Sequence, residues 1–163
     1  MIDPKYLPLI TTTANAFSLS PRLVAAIVWA ESRGQADAFR FEPKFWSRYL
    51  AKLPQYKDQI PRRVSSSYGL MQIMYTTAVE QGFHGEPERL FLPKENLHWG
   101  CRYLRGLVQW ADRFTEVPPN DRLLAVLASY NGGRGGNTPG TSLRPVNRAY
   151  ALRVLAIQGE MDA

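Results

Sequence analysis

Apolar residues recur along this chain at the three- and four-residue spacing of a buried helix face. The clearest case is a series in which steps of four and three alternate, and it predicts one long helix: Leu97, Cys101, Leu104, Val108 and Ala111. No segment shows a convincing alternation of apolar and polar residues at period two, so we expect at most a very small β element. The pattern therefore predicts a mainly α protein.

Prolines and capping residues mark where other helices begin. Two helices are expected to start with a capping side chain followed by proline, at Asp3-Pro4 and Ser20-Pro21, and to end near Ala16 and Gly34. Further helices are predicted over about 41–52, from Thr76 to Gly82, from Asn120 to Gly132-Gly133, and over about 145–158. The stretch between 53 and 67 is interpreted as an irregular basic loop bordering a cleft.

The last predicted helix places four apolar residues on one face: Val146, Tyr150, Val154 and Ile157. A chain of 163 residues fits one domain, which we assign to 1–163. Its single cysteine, Cys101, excludes an intramolecular disulfide and is interpreted as a small buried side chain. No apolar run approaches the roughly 20 residues needed to cross a bilayer, so no membrane span is expected.

The net charge of +6 and the sequence pI of about 9.7 favour anionic partners. The basic residues are scattered and accompany no known nucleic-acid motif, so we expect no nucleic-acid partner and favour an anionic wall polymer instead. His84 and His98 are isolated from other residues at ligand spacing, so neither a metal site nor a cofactor is expected.

Glu31 is the first candidate for chemistry. Val24, Ile27 and Val28 precede it by seven, four and three positions, which places its carboxyl on the buried face of its own helix. Burial and the nearby helix C-terminus both raise a carboxyl pKa, which suits a general acid working near neutral pH. An ion pair with Arg33 at the rim of the helix is an equally good interpretation.

A second motif covers Gly69 to Gln72. Gly69 can let the backbone approach a ligand, Gln72 can hydrogen-bond sugar hydroxyls and acetamides, and Met71 offers adaptable apolar contact. The alternative is a core helix in which the glycine relieves crowding and Gln72 is exposed.

A third motif runs from Tyr130 through Asn131 to Gly132 at a predicted helix end. The Tyr130 phenol could hydrogen-bond a carboxylate across a cleft. The alternative is an ordinary helix that ends at glycine, with Tyr130 in the core.

Together, Glu31-Ser32, Gly69 to Gln72, and Tyr130 to Gly132 resemble the soluble lytic transglycosylases and the related goose-type lysozymes in order and spacing. The resemblance covers about 20–133. It implies a lysozyme-like, mainly helical single domain with Glu31 at the floor of a sugar-binding cleft, and peptidoglycan glycan strands as the partner.

The resemblance also implies a reaction. Glu31 would protonate the oxygen of the β-1,4 bond between N-acetylmuramic acid and N-acetylglucosamine, then act as base on the muramoyl 6-hydroxyl. The product would be a 1,6-anhydromuramoyl end. Tyr130 would hydrogen-bond and orient Glu31.

Six further positions are implied as substrate-binding, either by direct contact or by shaping the cleft: Ser32, Ser67, Gly69, Met71, Gln72 and Asn131. Two features depart from the family pattern. Tyr75 stands where relatives commonly have proline, and Ser66-Ser67-Tyr68 replaces the usual small residues before the glycine.

Two other functions remain open. A hydrolytic muramidase would need a second carboxylate about the scissile bond, for which Asp37 and Glu42 are the candidates. Their ordinary interpretations are a solvated loop carboxylate for Asp37 and an ion pair of Glu42 with Arg40 or Lys44. The other function is that of an inactive wall-binding module.

We expect a monomer that acts on the bacterial cell wall, in the periplasm or outside the cell. The first residues lack the basic and apolar pattern of a secretory signal. The lack of such a signal would fit a phage endolysin, a virion-associated enzyme or a trimmed domain.

Overall fold

The computed structural model of the protein describes residues 1–162. Eight α-helices lie within this part of the chain: α1 (Leu7–Ala16), α2 (Pro21–Ser32), α3 (Pro43–Phe45), α4 (Pro61–Val64), α5 (Tyr75–Glu80), α6 (Pro93–Ala111), α7 (Pro119–Gly132) and α8 (Pro145–Asp162). Three short strands form the only sheet there: β1 (Phe39–Phe41), β2 (Ser66–Tyr68) and β3 (Ile73–Met74). The predicted mainly α fold with a very small β element is confirmed.

The two caps predicted before proline are present. The Asp3 side chain accepts a hydrogen bond from the Lys5 amide at 3.0 Å, and the Ser20 hydroxyl accepts one from the Leu23 amide at 3.3 Å. A 3-10 turn at Pro4–Tyr6 precedes α1. Arg33 ends α2 in the left-handed conformation, with φ of 56°.

Three details of the helix predictions were wrong. The helix α5 begins at Tyr75, so Thr76 is buried in its first turn and does not cap it. Asn120 does not cap α7, because Pro119, whose ring presets a helical φ, starts the helix one residue earlier. Val146 is 78% exposed, because it lies in the first turn of α8 before the helix reaches the core.

The segment from 41 to 67 is more divided than predicted. Instead of one aromatic helix, β1 ends at Phe41 and the short α3 leads into a π-helical turn at Trp46–Leu50. The expected irregular loop contains α4 and the beginning of β2. Each of these elements has five residues or fewer, which is too short to leave a periodic apolar pattern.

The main core surrounds α8, which packs against both α2 and α7, while α6 packs on α7 and α1. Ala151 and Val154 of α8 are fully buried there. Among the described residues, no helix is both long and apolar enough to cross a membrane.

The sheet is antiparallel, and its register places residues in rows across the strands. One row consists of Arg40, Ser67 and Met74. The neighbouring row consists of Phe39, Tyr68 and Ile73, and its last two members belong to a second, smaller core cluster. The sheet therefore has one face packed on protein and another free to line a site.

Candidate active site

A cleft of about 420 Å³ opens where the end of α2, the sheet and the end of α7 meet. Its walls combine carboxylates, a guanidinium, amides, hydroxyls and aromatic rings. The residues that line it are Glu31, Arg40, Glu42, Phe45, Ser67, Gln72, Ile73, Met74, Thr77, Tyr103, Tyr130, Asn131, Gly132 and Gly133. Members of all three sequence motifs therefore meet in one place.

Glu31 is the second-last residue of α2 and is half-buried at this cleft. Burial raises the pKa of its carboxyl above the usual range, because the charged form loses hydration. A hydrogen bond from Tyr150 and the positive charges of Arg40 and Arg153 lower the pKa in part. The carboxyl can thus hold a proton at higher pH than an exposed glutamate can.

The hydroxyl of Tyr150, on α8, donates a hydrogen bond of 2.6 Å to Glu31 Oε1. Burial raises the pKa of Tyr150, so the phenol keeps its proton and remains a donor. The sequence placed Tyr150 on a buried helix face but gave it no role. The sequence feature that could have indicated a role is its hydroxyl, since a buried tyrosine usually needs a hydrogen-bond partner.

Tyr130 does not make the hydrogen bond expected of it. Its hydroxyl donates to the Met71 carbonyl oxygen at 2.8 Å, and a phenol has only one proton to donate. Its ring packs against Tyr103 with centroids 5.6 Å apart. Tyr130 therefore lines the cleft and ties α7 to the second motif, while Tyr150 contacts Glu31.

Ser32 is buried and lies beneath the cleft wall. Its hydroxyl lies within hydrogen-bonding distance of two carbonyl oxygens, Leu70 at 2.7 Å and Val28 at 3.0 Å, and its single proton can go to either; it also accepts from the Gly34 amide at 3.2 Å. This hydroxyl joins the end of α2 to the turn that carries the second motif. It therefore fixes Glu31 relative to that turn.

Gly69 approaches protein rather than open cleft space. Its φ is +71°, and a Cβ at this position would lie 2.5 Å from the Asn96 amide nitrogen and 2.7 Å from the Leu90 carbonyl. Glycine is required here because the turn both adopts a left-handed backbone and presses against Asn96. The expectation that Gly69 brings backbone to a ligand does not fit this geometry.

Asn96, in the first turn of α6, is the polar residue that holds this turn. It is fully buried, donates to the carbonyls of Tyr68 and Leu90 at 2.6 and 2.8 Å, and accepts from the Met71 amide at 2.8 Å. Sequence analysis missed it. The sequence feature that could have indicated this role is the position of Asn96 beside the apolar stripe of a helix, because a buried amide needs hydrogen-bond partners.

Met71 is fully buried and does not appear in the cleft lining. Its sulfur lies 4.0 Å from the Cys101 sulfur, and a Cβ on Gly100 would come within 2.5 Å of it. Burial raises the pKa of the Cys101 thiol to about 12. Met71 thus fills the core below the turn, consistent with packing under the cleft floor.

Three predicted polar residues do line the cleft: Ser67, Gln72 and Asn131. Gln72 has a φ of 48°, and its amide nitrogen donates to the Ala38 and Gly69 carbonyls at 3.0 and 3.1 Å. Asn131 accepts a hydrogen bond of 2.9 Å from Asn147 on α8. Protein contacts therefore orient both amides toward fixed directions.

The two candidate second carboxylates differ. Glu42 lines the cleft together with Glu31 and forms an ion pair of 2.6 Å with Arg40. Asp37 is exposed, and the cleft lining within residues 1–162 does not include it. The structure thus brings Glu42, not Asp37, into the same cleft as Glu31.

Comparison with known proteins identifies a match to the family model described as transglycosylase SLT domain, over residues 8–142. A protein named membrane-bound lytic murein transglycosylase C from Yersinia pestis (strain Pestoides F) is 31% identical over 138 residues, covering 80% of this chain and 32% of that protein. The protein of the same name from Actinobacillus pleuropneumoniae serotype 5b is 26% identical over 140 residues, covering 80% and 31%. The chain therefore spans about a third of the length of these curated relatives.

Among solved structures, the chain resembles an inactive mutant of the lytic transglycosylase Slt from Pseudomonas aeruginosa, in which a glutamate is replaced by glutamine. The TM-score is 0.61 at 19% sequence identity, and the match covers 94% of this chain and 24% of that one. At this identity the likeness concerns the fold.

Proposed function

Because this chain belongs to the transglycosylase SLT domain family, we propose that it cleaves peptidoglycan glycan strands by lytic transglycosylation, with Glu31 as general acid and then base. The observation that carries the proposal is a half-buried carboxyl that faces a cleft and accepts a hydrogen bond from Tyr150. In the proposed reaction a side chain of the protein supplies the acid and base, and the substrate's own hydroxyl is the nucleophile.

In the first step the protonated Glu31 carboxyl donates its proton to the glycosidic oxygen between N-acetylmuramic acid and N-acetylglucosamine, and the bond from that oxygen to C1 breaks. In the second step the Glu31 carboxylate removes the proton of the muramoyl 6-hydroxyl, and the 6-oxygen bonds to C1. Glu31 ends protonated, as it began. No water is consumed, and the product carries a 1,6-anhydro ring.

This sequence of steps needs a carboxyl that is stable in both protonation states. Burial favours the protonated form of Glu31, whereas the Tyr150 hydrogen bond and the charges of Arg40 and Arg153 favour the carboxylate. These opposing influences keep both forms accessible. In the structural relative, replacing one glutamate with glutamine gives an inactive mutant.

The remaining site residues divide into two groups. We assign sugar contact to the residues that line the cleft, which are Ser67, Gln72, Tyr130 and Asn131. Ser32, Gly69 and Met71 act from below, because they hold the turn that presents Gln72. Amide and hydroxyl groups at fixed positions suit the hydroxyls and acetamides of N-acetyl sugars.

The place of action follows from the substrate. We propose that the protein works on the cell wall, in the periplasm or outside the cell, as a bacterial enzyme or a phage lysin. Packing of α8 between α2 and α7 supports treating 1–163 as one domain, and we propose that this domain works as a monomer.

A hydrolytic muramidase is the second candidate, and the presence of Glu42 in the cleft favours it. In that reaction Glu42 would assist an attacking water or stabilise developing charge at C1, opposite the acid Glu31. Asp37 has no such support, because it is exposed and away from the lining described for residues 1–162.

Digestion of purified peptidoglycan, followed by mass spectrometry of the released muropeptides, tests both candidates. Transglycosylation gives products lighter by one water than hydrolysis products, whereas fully hydrated reducing ends would establish the muramidase. Failure to release any muropeptide would overturn both enzymatic functions and leave the inactive wall-binding module.

The role of Glu31 is tested by Glu31→Gln, which keeps the shape of the side chain but removes its proton chemistry. We expect the rate of muropeptide release to fall by about 10²- to 10⁴-fold. Glu116→Gln is the matched control, because Glu116 is exposed and outside the cleft lining. Full activity of Glu31→Gln would contradict the assignment.

A further inference from the structure

Arg40 lies in the middle of β1, in the row that also contains Ser67 and Met74. All three residues of this row line the cleft. Side chains alternate between the two faces of a strand, and the neighbouring Phe39 ring packs on the other row, 5.3 Å from the Tyr68 ring. The packing of Phe39 therefore fixes Arg40 on the cleft face.

Glu42 follows Arg40 by two positions, also lines the cleft, and accepts a 2.6 Å hydrogen bond from Arg40 Nε. A guanidinium has five N–H donors in a planar fork. Among the described residues, this bond to Glu42 is the only hydrogen bond of the Arg40 side chain. The side chain is 72% exposed, so its remaining donors are accessible to a ligand.

Stability does not account for this pair. Ion pairs between solvent-exposed side chains contribute little to folding, because water and salt screen them and ordering long side chains costs entropy. The position of Arg40 in the cleft indicates a role in ligand binding instead. It lines the same cleft as Glu31, and its positive charge lowers the pKa of the Glu31 carboxyl.

A guanidinium held on one side and open on the other is suited to bind a carboxylate through two parallel hydrogen bonds. We propose that Arg40 is a specificity-determining residue that binds a carboxylate carried by the glycan strand close to the scissile bond. Arg40 thereby selects an anionic glycan over a neutral one. This inference rests on the proposed function, since it assumes that glycan strands occupy the cleft.

The carboxylate has two chemical sources on a glycan strand. One is the lactyl group of N-acetylmuramic acid when no peptide is attached, and the other is the peptide stem when it is present. Three tetrasaccharide probes separate these sources: the neutral N-acetylglucosamine tetramer, the alternating tetramer of N-acetylglucosamine and N-acetylmuramic acid without peptides, and that tetramer with its peptides.

Binding of each probe is measured by calorimetry with protein carrying Glu31→Gln, so that no probe is cleaved. Arg40→Ala is then added to this protein, and Arg102→Ala serves as the matched control. Arg102 is exposed on α6 outside the cleft lining, so this control removes the same charge elsewhere.

We expect Arg40→Ala to weaken binding of at least one anionic tetramer by about fivefold or more, and to change binding of the neutral tetramer by less than about twofold. A loss confined to the peptide-free tetramer identifies the lactyl carboxylate, and a loss confined to the other identifies the peptide stem. A loss on both shows that Arg40 accepts either carboxylate.

Equal losses on the neutral and anionic probes, or equal losses with Arg102→Ala, would overturn the inference and leave the proposed function standing. If the Glu31→Gln protein binds none of the three probes, the proposed function itself fails, and the inference fails with it.

Discussion

The Tyr150 hydroxyl donates a 2.6 Å hydrogen bond to the carboxylate of Glu31, a residue 119 positions earlier in the chain. The bond joins α8 to α2 at the edge of the cleft. Because the Tyr150 hydroxyl donates this bond to the carboxyl oxygen, the bond stabilises the charged form of Glu31 against the burial that disfavours it. We therefore regard Tyr150 as a positioning residue for the proposed acid.

Replacing Tyr150 with phenylalanine removes this bond while keeping the ring. Without it the pKa of Glu31 rises further, so the protonated acid persists to higher pH, and the fall of activity on the basic side moves upward. We expect kcat near neutral pH to drop on the order of tenfold, because the carboxyl loses its fixed orientation. The measurement is the pH dependence of muropeptide release.

Tyr49→Phe is the matched control for that experiment, since Tyr49 is exposed and outside the cleft lining. A Tyr150→Phe enzyme with the pH profile of the unaltered protein would show that the bond does not influence the acid.

Burial of Glu31 also predicts how stability depends on pH. Its folded-state pKa is raised, so the stability that the protonated carboxyl provides is present below its unfolded pKa and is lost as pH rises through the folded pKa. Glu31→Gln should therefore raise the free energy of unfolding at about pH 8, with the gain shrinking toward about pH 4.

Urea unfolding at the two pH values measures this difference, with Glu116→Gln as control. The same gain at both values would mean that the pKa of Glu31 is the same in the folded and unfolded states, and a gain that shrinks from pH 4 to pH 8 would mean that folding lowers it.

The partly buried position of Glu31 could be predicted from the sequence, because it depends on local helix periodicity. The contacts of the tyrosines could not be predicted in this way. Tyr130 and Tyr150 both lie on buried helix faces, and whether a hydroxyl reaches Glu31 or the Met71 carbonyl depends on how α7 and α8 pack. Helix packing is a long-range property that periodicity does not encode.

The second motif shows a similar limit. Gln72 was identified correctly as lining the cleft, but Gly69 was expected to bring the backbone to a ligand, whereas it lies against Asn96 and Leu90. Asn96 follows Gly69 by 27 positions in the chain. It lies beside the apolar stripe of α6, and helix periodicity does not show which turn its side chain contacts. The short strands and the π-helical turn at Trp46–Leu50 were missed because they span too few residues to show a period.

Asn96→Leu tests how strongly that amide holds the turn. The substitution keeps the approximate volume but leaves the Tyr68 and Leu90 carbonyls and the Met71 amide without their partner. We expect the free energy of unfolding to fall by about 3 kcal/mol, measured by urea unfolding. Asn120→Ala, at an exposed position in α7, should change it by less than about 0.5 kcal/mol.

If Asn96→Leu costs no more than the Asn120→Ala control, the buried amide is not what holds the turn.

Two glycine substitutions should have opposite effects. Gly69→Ala forces a side chain into a left-handed backbone and against Asn96 and Leu90, and we expect it to destabilise the protein by about 2 kcal/mol or more. Gly106→Ala lies inside α6 with no heavy atom within 4 Å of the added Cβ, so it should stabilise the protein by up to about 1 kcal/mol.

Thermal or urea unfolding of the two variants checks the pair directly. A Gly69→Ala protein as stable as the parent would show that the turn can relax away from Asn96, which would weaken the account of how Gln72 is presented.

The family match ends at residue 142, three positions before α8 begins. All three sequence motifs lie inside the matched part. Yet α8 provides the Tyr150 hydroxyl that donates a hydrogen bond to Glu31, and two fully buried residues of the main core. Fusions or transplants that move this domain into another protein must therefore carry α8, even though no motif marks it as necessary.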